Sequence, residues 1–175
     1  SALSPLPTEE TVFATLNHPH IPPYWREPEH IGLVPPTHPL KPEHLIGMIH
    51  NHTTASDGTA TLRQMAERTR ELGYQYLVIC DHSRTASYAG GLEIERVVQQ
   101  WAEIDRLNAE LAPFRILKGI ESDILGDGSL DYEDDVLKSF DLIVASVHNR
   151  LDMAEAEATA RVVRQFAAMG ATAQV

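Results

Sequence analysis

From residue 46 onward, the sequence alternates short apolar runs with longer segments of helical periodicity. The short runs are residues 46–49, 76–80, 115–120 and 142–147, and the first of them predicts a buried strand. The helical segments are residues 62–72, 94–111, 134–139 and 154–168. Gly73 and Pro113 are typical helix terminators at the ends of two of them. This alternation predicts an α/β fold with a parallel sheet of four to five βα units, the fifth beginning at residues 171–175.

The first 45 residues have a different composition. Ten of the 11 prolines lie within the first 42 residues. Because proline fixes φ and removes a backbone donor, residues 21–24 and 34–36 are predicted to be extended. A short helix is predicted at residues 9–16, where the apolar residues share one face. We therefore predict a proline-rich linker over residues 1–45 and a folded domain over residues 46–175.

The overall composition excludes several classes of protein. With 14 Lys+Arg and 25 Asp+Glu, the net charge is −11, which disfavours nucleic-acid binding through bulk positive charge. An anionic substrate would therefore need local positive charge, most simply from metal ions. Cys80 is the only cysteine, so neither an intrachain disulfide nor a cysteine zinc cluster can form. With no apolar run of about 20 residues and no secretory signal pattern, we expect a cytoplasmic protein that does not enter membranes.

Residues that can bind metal follow each of the four predicted strands. They are His50 and His52 after the first, Asp81 and His82 after the second, Glu121 after the third and His148 after the fourth. The carboxyl ends of parallel strands meet on one face of a sheet or barrel, so these side chains should converge. Imidazole and carboxylate without thiolate suit Mn²⁺, Fe²⁺ or catalytic Zn²⁺. With Asp57 the set is too large for one ion, and a cluster of two or three ions is typical of phosphoester hydrolysis.

Each of these residues also has a simpler interpretation. A single histidine at a strand end is more often a hydrogen-bonded polar residue than a ligand. Asp57 followed by glycine could form a turn that caps the next helix, and Glu121 could be a solvated loop carboxylate. Arg84 and Arg150 directly follow the second and fourth strand-end segments, where they could bind a substrate phosphate or lie in solvent.

The spacing of His50 and His52 supports joint ligation. Residues i and i+2 point to the same side of an extended strand, so the two rings are predicted to share one side.

Four segments of the sequence resemble the first four motifs of the PHP (polymerase and histidinol phosphatase) superfamily. They are residues 50–58, 79–83, 118–121 and 144–148. Residues 88–92 and 122–131, together with residues 21–27 upstream, are most similar to the C-terminal PHP domain of bacterial family X DNA polymerases and the segment that leads into it.

The resemblance implies a partial, distorted (βα)7 TIM-like barrel with up to three Mn²⁺ or Zn²⁺ ions. Carried onto matching positions, His50, His52 and Glu121 would hold the first ion. Glu121 would bridge to a second ion bound by His148, and Asp57 and His82 would hold the third. Glu121, His148 and Asp81 would be the catalytic group, with Asp81 orienting a ligand rather than binding metal.

The sequence departs from the superfamily pattern in two places. Met48 occupies the position where an aspartate commonly precedes the histidine pair. The later Gly-His-Pro and Asp-x-His motifs are absent. A closed barrel of this type typically needs about 250 residues, so we expect a C-terminally truncated domain whose open sheet edge could support a homo-oligomer.

The resemblance leads to one main functional hypothesis and two alternatives. The main hypothesis is a metal-dependent phosphoesterase module with 3′–5′ exonuclease activity on DNA 3′ ends or nucleotides, preceded by a polymerase module in the parent protein. The first alternative is a small-molecule phosphatase that resembles histidinol phosphatase. The second is a catalytically idle PHP module that serves a structural role.

Overall fold

The structure is a computed structural model that describes residues 8–30, 32–35 and 38–170, with side chains through Ala168. It divides into two compact units, one ending at Pro42 and the other beginning at Glu43. None of the described helices is both long and apolar enough to cross a membrane.

The first unit contains one helix and short 3-10 turns. Helix α1 spans Glu9–Thr15, as the sequence predicts, and Thr8 caps it by accepting a hydrogen bond from the Thr11 backbone N–H at 3.3 Å. The extended conformation predicted for residues 21–24 is wrong in its second half, where Pro23–Trp25 forms a 3-10 turn. Proline at the first position of a helical turn loses no hydrogen bond, because that N–H would have no partner anyway.

The second unit, over its described residues 43–170, is built on four parallel strands in chain order. Strand β1 spans Gly47–Asn51, β2 Tyr76–Ile79, β3 Arg115–Asp123 and β4 Leu142–Ser146. They pair as β1-β2-β3-β4 in a sheet that curls into half a barrel. The predicted α/β class and partial TIM-like barrel are confirmed. The fifth strand predicted at residues 171–175 lies outside the described residues.

Helices alternate with these strands near the predicted positions. Helix α2 spans Leu62–Glu71, α3 Ile94–Leu111, α4 Asp134–Leu137 and α5 Glu155–Gly170. A capping box of Thr61 and Gln64 begins α2, and Gly73 follows its end with φ +88°, a conformation that glycine adopts without strain.

The apolar core forms two clusters between the helices and the sheet. The larger cluster joins α2 and α3 to β2 and β3, and comprises Leu62, Ala66, Leu77, Ile79, Ile104, Leu107, Leu111, Phe114 and Ile116. The smaller cluster comprises Leu92, Val97, Ile120 and Tyr132, with partly buried neighbours that include Trp101 and Phe140. Trp101 meets Phe140 edge to face, with 5.0 Å between the ring centroids, so it packs against the core. Burial on this scale supplies most of the stability of such a domain.

Strand β1 is less buried than its apolar sequence predicts. The Ile49 side chain is 60% exposed, because β1 is the edge strand of the described sheet and pairs only with β2. The expectation of a buried first strand is therefore wrong. The pairing of β1 with β2 also shifts register between Met48 and Asn51, which marks a β-bulge.

Candidate metal centre

Glu121 lies at the centre of four histidines, of which His50 lies within β1 and the other three follow their strands. Its carboxylate is 5% exposed, and each of its oxygens faces two imidazole nitrogens. Oε1 lies 3.3 Å from both His50 Nε2 and His148 Nε2. Oε2 lies 3.4 Å from His52 Nε2 and 3.2 Å from His82 Nδ1. Glu121 is thus a buried strand residue rather than the solvated loop carboxylate of the simpler interpretation.

Backbone pairing places Glu121 at this position. The sequence predicts that Glu121 follows its strand, but β3 continues through Asp123 and Glu121 lies within it. Beyond the end of β2, the Ser83 N–H donates to the Glu121 carbonyl at 2.9 Å and the Glu121 N–H donates to the Asp81 carbonyl at 3.0 Å. His82 is therefore held directly beside Glu121 on the neighbouring chain segment.

The bulge in β1 brings His50 and His52 toward the same carboxylate. His50 has φ +61°, in the left-handed region that non-glycine residues seldom adopt. The two rings converge, but the regular i, i+2 alternation predicted from the sequence is not the reason. An extra residue in β1 turns the His50 side chain toward Glu121. Backbone strain at a position like this is often associated with a functional site.

The loop after β1 brings Asp57 to the other side of the cluster. Asp57 Oδ1 lies 3.2 Å from His52 Nδ1, and Asp57 Oδ2 lies 3.5 Å from His82 Nε2. Thr61, not Asp57, caps helix α2, so the alternative capping role does not apply. Gly58 lets the loop close, because a Cβ there would lie 2.5 Å from the His52 carbonyl oxygen.

Asp81 supports this loop rather than orienting a histidine ring. Its fully buried carboxylate accepts hydrogen bonds from the Thr53 N–H at 2.7 Å, the Thr53 hydroxyl at 2.8 Å and the Ser56 hydroxyl at 2.5 Å. Gln100 on α3 donates to it at 2.6 Å. The predicted orientation of a metal ligand by Asp81 is therefore indirect, through the loop that carries Asp57.

The residues form three groups, each able to hold one ion. They are His50, His52 and Glu121; His82, Glu121 and His148; and His52, Asp57 and His82. Within each group the ligand atoms all lie within 4.8 Å of one another. The grouping agrees with the one implied by the resemblance, except that His82 and His52 each belong to two groups.

The distances and the unpaired atoms of these groups fit metal ligation. Two ligands at about 2.1 Å from one ion, with tetrahedral or octahedral angles, lie about 3.0–3.4 Å apart. The nitrogen-to-oxygen distances here run from 3.2 to 3.5 Å. Two ring nitrogens, His52 Nδ1 and His82 Nδ1, are buried and make no well-directed hydrogen bond, although each lies 3.2 Å from a carboxylate oxygen, and this is costly unless something else satisfies them. The donor set suits a divalent cation that prefers nitrogen and oxygen ligands.

The charge on Glu121 is stabilised by its neighbours. Burial acts to raise the pKa of this carboxyl, but the Ser146 hydroxyl, which donates to Oε1 at 2.7 Å, and the rings of His50 and His82 outweigh it and hold the pKa below its usual value. Glu121 is therefore ionised at neutral pH, as a metal ligand must be.

A profile of the PHP domain family matches residues 49–170. The chain belongs to the PHP domain family. The match covers β1 from residue 49 onward, the other three strands, the four helices described in the second unit and every residue of the three groups.

The PHP domain is also similar to a characterised bacterial protein. Over 109 residues it is 52% identical to the DNA polymerase/3′-5′ exonuclease PolX of Bacillus subtilis (strain 168). That alignment covers 62% of this chain and 19% of the relative, so the chain spans about a fifth of the curated relative it matches.

Asp123 is a candidate site residue of the PHP domain to which sequence reasoning gave no role. It is 1% exposed, and its Oδ1 accepts a hydrogen bond of 2.6 Å from His148 Nδ1, so that Nε2 of the same ring faces Glu121. A carboxylate behind a ligating histidine is a recurrent feature of metal sites. The spacing in the sequence could have indicated this residue, because Asp123 lies two residues beyond Glu121 and thus on the same side of an extended strand.

The two arginines predicted to bind substrate lie in different environments. Arg84 donates through Nε to the buried Asp131 carboxylate at 3.3 Å and lies over the Tyr132 ring at 5.5 Å. Arg150, which lies two residues beyond His148, lines a shallow pocket of about 420 Å³, and Arg164 lines the same pocket. Substrate binding by either arginine stays a prediction. Of the two side chains, it is that of Arg150 that borders the open space of this pocket.

Tyr88 stands beside the metal groups, although no role was assigned to it from the sequence. Its side chain is 70% exposed, and its ring centroid lies 6.1 Å from that of His82 and 6.2 Å from that of His148. The PHP domain therefore presents an accessible aromatic face next to its candidate ligands.

Proposed function

We propose that this chain is a metal-dependent phosphoesterase module that hydrolyses DNA phosphodiesters from the 3′ end. The observation that carries the proposal is the set of three overlapping ligand groups around the buried carboxylate of Glu121. Shared ligands of this kind hold ions close together, the arrangement used in in-line displacement at phosphorus. The similarity to the B. subtilis DNA polymerase/3′-5′ exonuclease PolX supports the 3′–5′ direction.

The residues that would hold the ions are those of the three groups, and the donor set suits Mn²⁺ or Zn²⁺. Bound ions of this kind neutralise phosphate charge and lower the pKa of a coordinated water. In a chain with a net charge of −11, such local positive charge is needed for an anionic substrate to approach.

The protein's own contribution is to fix the positions of its ligands. Asp123 orients the His148 ring, the Ser146 hydroxyl orients the Glu121 carboxylate, and the main-chain pairing of β3 with the segment after β2 keeps His82 beside them. Because these supports lie on strands or at strand ends, the ligands are preorganised before any ion or substrate binds.

Two features favour nucleic acid over a small phosphate ester. Tyr88 offers an exposed ring beside the ligands, on which a terminal nucleobase can stack. Arg150 borders open space two residues beyond His148 and can pair with a backbone phosphate. A polymerase module upstream of this domain in the parent protein belongs to the same proposal, and the name of the PolX relative supports it.

The test compares three substrates with Mn²⁺ present: a 3′-labelled oligonucleotide, a 5′-labelled oligonucleotide and p-nitrophenyl phosphate. We expect release of the 3′ label as mononucleotide, progressive shortening of the 5′-labelled strand, and no activity after EDTA treatment. The Glu121→Gln variant, prepared in parallel, excludes a contaminating nuclease.

Each of the other outcomes contradicts the proposal in a defined way. Hydrolysis of p-nitrophenyl phosphate alone would indicate the small-molecule phosphatase. A chain that binds Mn²⁺ and hydrolyses none of the substrates would indicate the structural module.

A further inference from the structure

Arg161 is buried in the domain although it carries a charge. Its side chain is 1% exposed, and within the described part of the chain no carboxylate oxygen lies within 4.0 Å of the guanidinium. Its partners are main-chain carbonyls, one amide side chain and the Met153 sulfur, which lies 3.7 Å from Nη1. Nε donates to the carbonyls of Ile124 at 2.9 Å and Leu125 at 3.0 Å, and Nη1 donates to the carbonyl of Asn149 at 2.9 Å. Nη2 donates to the carbonyl of Ile124 and, at 3.0 Å, to Asn149 Oδ1.

These contacts tie together the two chain segments that leave the metal centre. Ile124 and Leu125 directly follow β3, which carries Glu121 and Asp123, and Asn149 directly follows His148. One planar guanidinium with donors in a fixed fork thus links both segments to helix α5. Burying a charge this deeply is unfavourable unless the hydrogen bonds compensate, so the arrangement needs a reason beyond packing.

The hydrogen bonds continue from Arg161 to the His148 ring. Asn149 Nδ2 donates to Asp123 Oδ2 at 3.0 Å, and Asp123 Oδ1 accepts from His148 Nδ1 at 2.6 Å. The two ends of this series of hydrogen bonds determine which group donates and which accepts at each step. Arginine can only donate and a carboxylate can only accept, so the Asn149 oxygen must face Arg161 and its NH₂ must face Asp123. Asp123 then requires a proton on His148 Nδ1, which leaves the Nε2 lone pair directed toward Glu121.

We propose that Arg161 and Asn149 are positioning residues that hold His148 in its metal-binding tautomer and orientation through Asp123. Neither residue touches a candidate ligand atom of the three groups. Their effect on metal binding is transmitted by the hydrogen-bond chain. The inference rests on the proposed function in one respect, which is that His148 is a metal ligand.

The test measures Mn²⁺ binding by isothermal titration calorimetry on the full 175-residue chain. The variants are Asn149→Ala, which removes the amide link, and Arg161→Lys, which keeps the charge but cannot reach both segments. Arg164→Lys is the matched control, because Arg164 is an exposed arginine on the same helix. We expect Asn149→Ala and Arg161→Lys to weaken binding of one ion by about 10- to 100-fold. The control should stay within about twofold of wild type.

A second readout needs neither metal nor activity. In the metal-free chain, long-range proton–nitrogen spectra of the histidine side chains should show His148 with its proton on Nδ1. In Asn149→Ala the Nδ1-bound proton should exchange with solvent faster than in the wild type, because Asp123 Oδ2 is then held by the Thr85 hydroxyl, at 3.0 Å, and no longer by the Asn149 amide. Asn149 is only partly buried, so this variant provides the test even if Arg161→Lys does not fold.

The outcomes separate this inference from the proposed function. Unchanged Mn²⁺ affinity and an unchanged exchange rate of the His148 Nδ1 proton in a folded Asn149→Ala variant would overturn the inference alone. A wild-type chain that binds Mn²⁺ without cleaving DNA would contradict the proposed function and leave the inference standing. A wild-type chain that binds no Mn²⁺ would overturn both.

Discussion

His148 donates from Nδ1 to the buried Asp123 carboxylate at 2.6 Å while its Nε2 lies 3.3 Å from Glu121. The two distances describe two different interactions. The shorter one is a strong hydrogen bond, and the longer one is the separation expected for two ligands of a common ion. A single imidazole therefore connects the ligand groups to the strand that supports them.

Replacing Asp123 by asparagine should weaken metal binding without removing a ligand. The amide can present its NH₂ group to His148. A donor there favours the tautomer with the proton on Nε2, and a protonated Nε2 has no lone pair for a metal ion. We expect about 10- to 100-fold weaker Mn²⁺ binding, measured by titration calorimetry. An Asp123→Asn variant with wild-type affinity would show that the hydrogen bond does not orient the ring.

Replacing Glu121 by glutamine should have a larger effect. Glu121 belongs to two of the three ligand groups and supplies the negative charge that faces all four histidines. We expect Mn²⁺ affinity to fall by more than about 100-fold, with loss of detectable oligonucleotide hydrolysis. The glutamine keeps the side-chain shape, so circular dichroism should show an intact fold. Wild-type turnover in this variant would refute the central role of the carboxylate.

Truncating Tyr88 to alanine should affect oligonucleotide cleavage selectively. If a terminal base stacks on this ring, its loss costs about 1–3 kcal/mol of binding, or roughly 5- to 150-fold in KM for the oligonucleotide. Tyr88→Phe, which keeps the aromatic face, should remain close to wild type. Mn²⁺ affinity should not change in either variant. Equal KM values for Tyr88→Ala and Tyr88→Phe would show that the ring contacts no base.

Gly119→Ala should destabilise the domain because β2 and β3 approach each other closely there. An added Cβ would lie 2.5 Å from the Ile79 carbonyl oxygen and 2.8 Å from Cys80 Sγ, and the backbone atom cannot move aside. We expect a loss of about 1–3 kcal/mol in the free energy of unfolding, measured by urea denaturation. Gly126→Ala is the control, because its Cβ would meet only the flexible end of Arg150. Equal stability of the two variants would contradict the strand packing described for β2 and β3.

Tyr132 should make the stability depend on pH in the alkaline range. Burial, and then the negative charge of Asp131, raise the pKa of this phenol above its usual 10.0. The folded chain thus holds the proton more tightly than the unfolded chain does. Its contribution to stability is present below pH 10.0 and is lost as the pH rises above that value.

Tyr132→Phe provides the measurement. Above pH 10, the free energy of unfolding of the wild type should fall more steeply than that of the variant. Phenylalanine also removes the hydrogen bond from the Tyr132 hydroxyl to the Leu92 carbonyl, which lowers the stability at every pH by about 1 kcal/mol. Parallel pH profiles for the two proteins would contradict the raised pKa.

The alternation of apolar runs and helical segments, read from the sequence alone, predicts the α/β class, the four parallel strands and the four following helices. These features depend on local periodicity, which each segment carries by itself. The six candidate metal ligands are predictable for a related reason. Parallel strands put their carboxyl ends on one face, so the convergence of His82, Glu121 and His148 follows from the topology.

Only the tertiary structure decided how those ligands are oriented. The bulge at His50, the loop held by Asp81 and the chain from Arg161 through Asn149 to Asp123 all depend on contacts between segments distant in sequence. An amino-acid pattern indicates which side chains can bind a metal. The direction in which each lone pair points depends on hydrogen bonds whose partners become neighbours only when the sheet has formed.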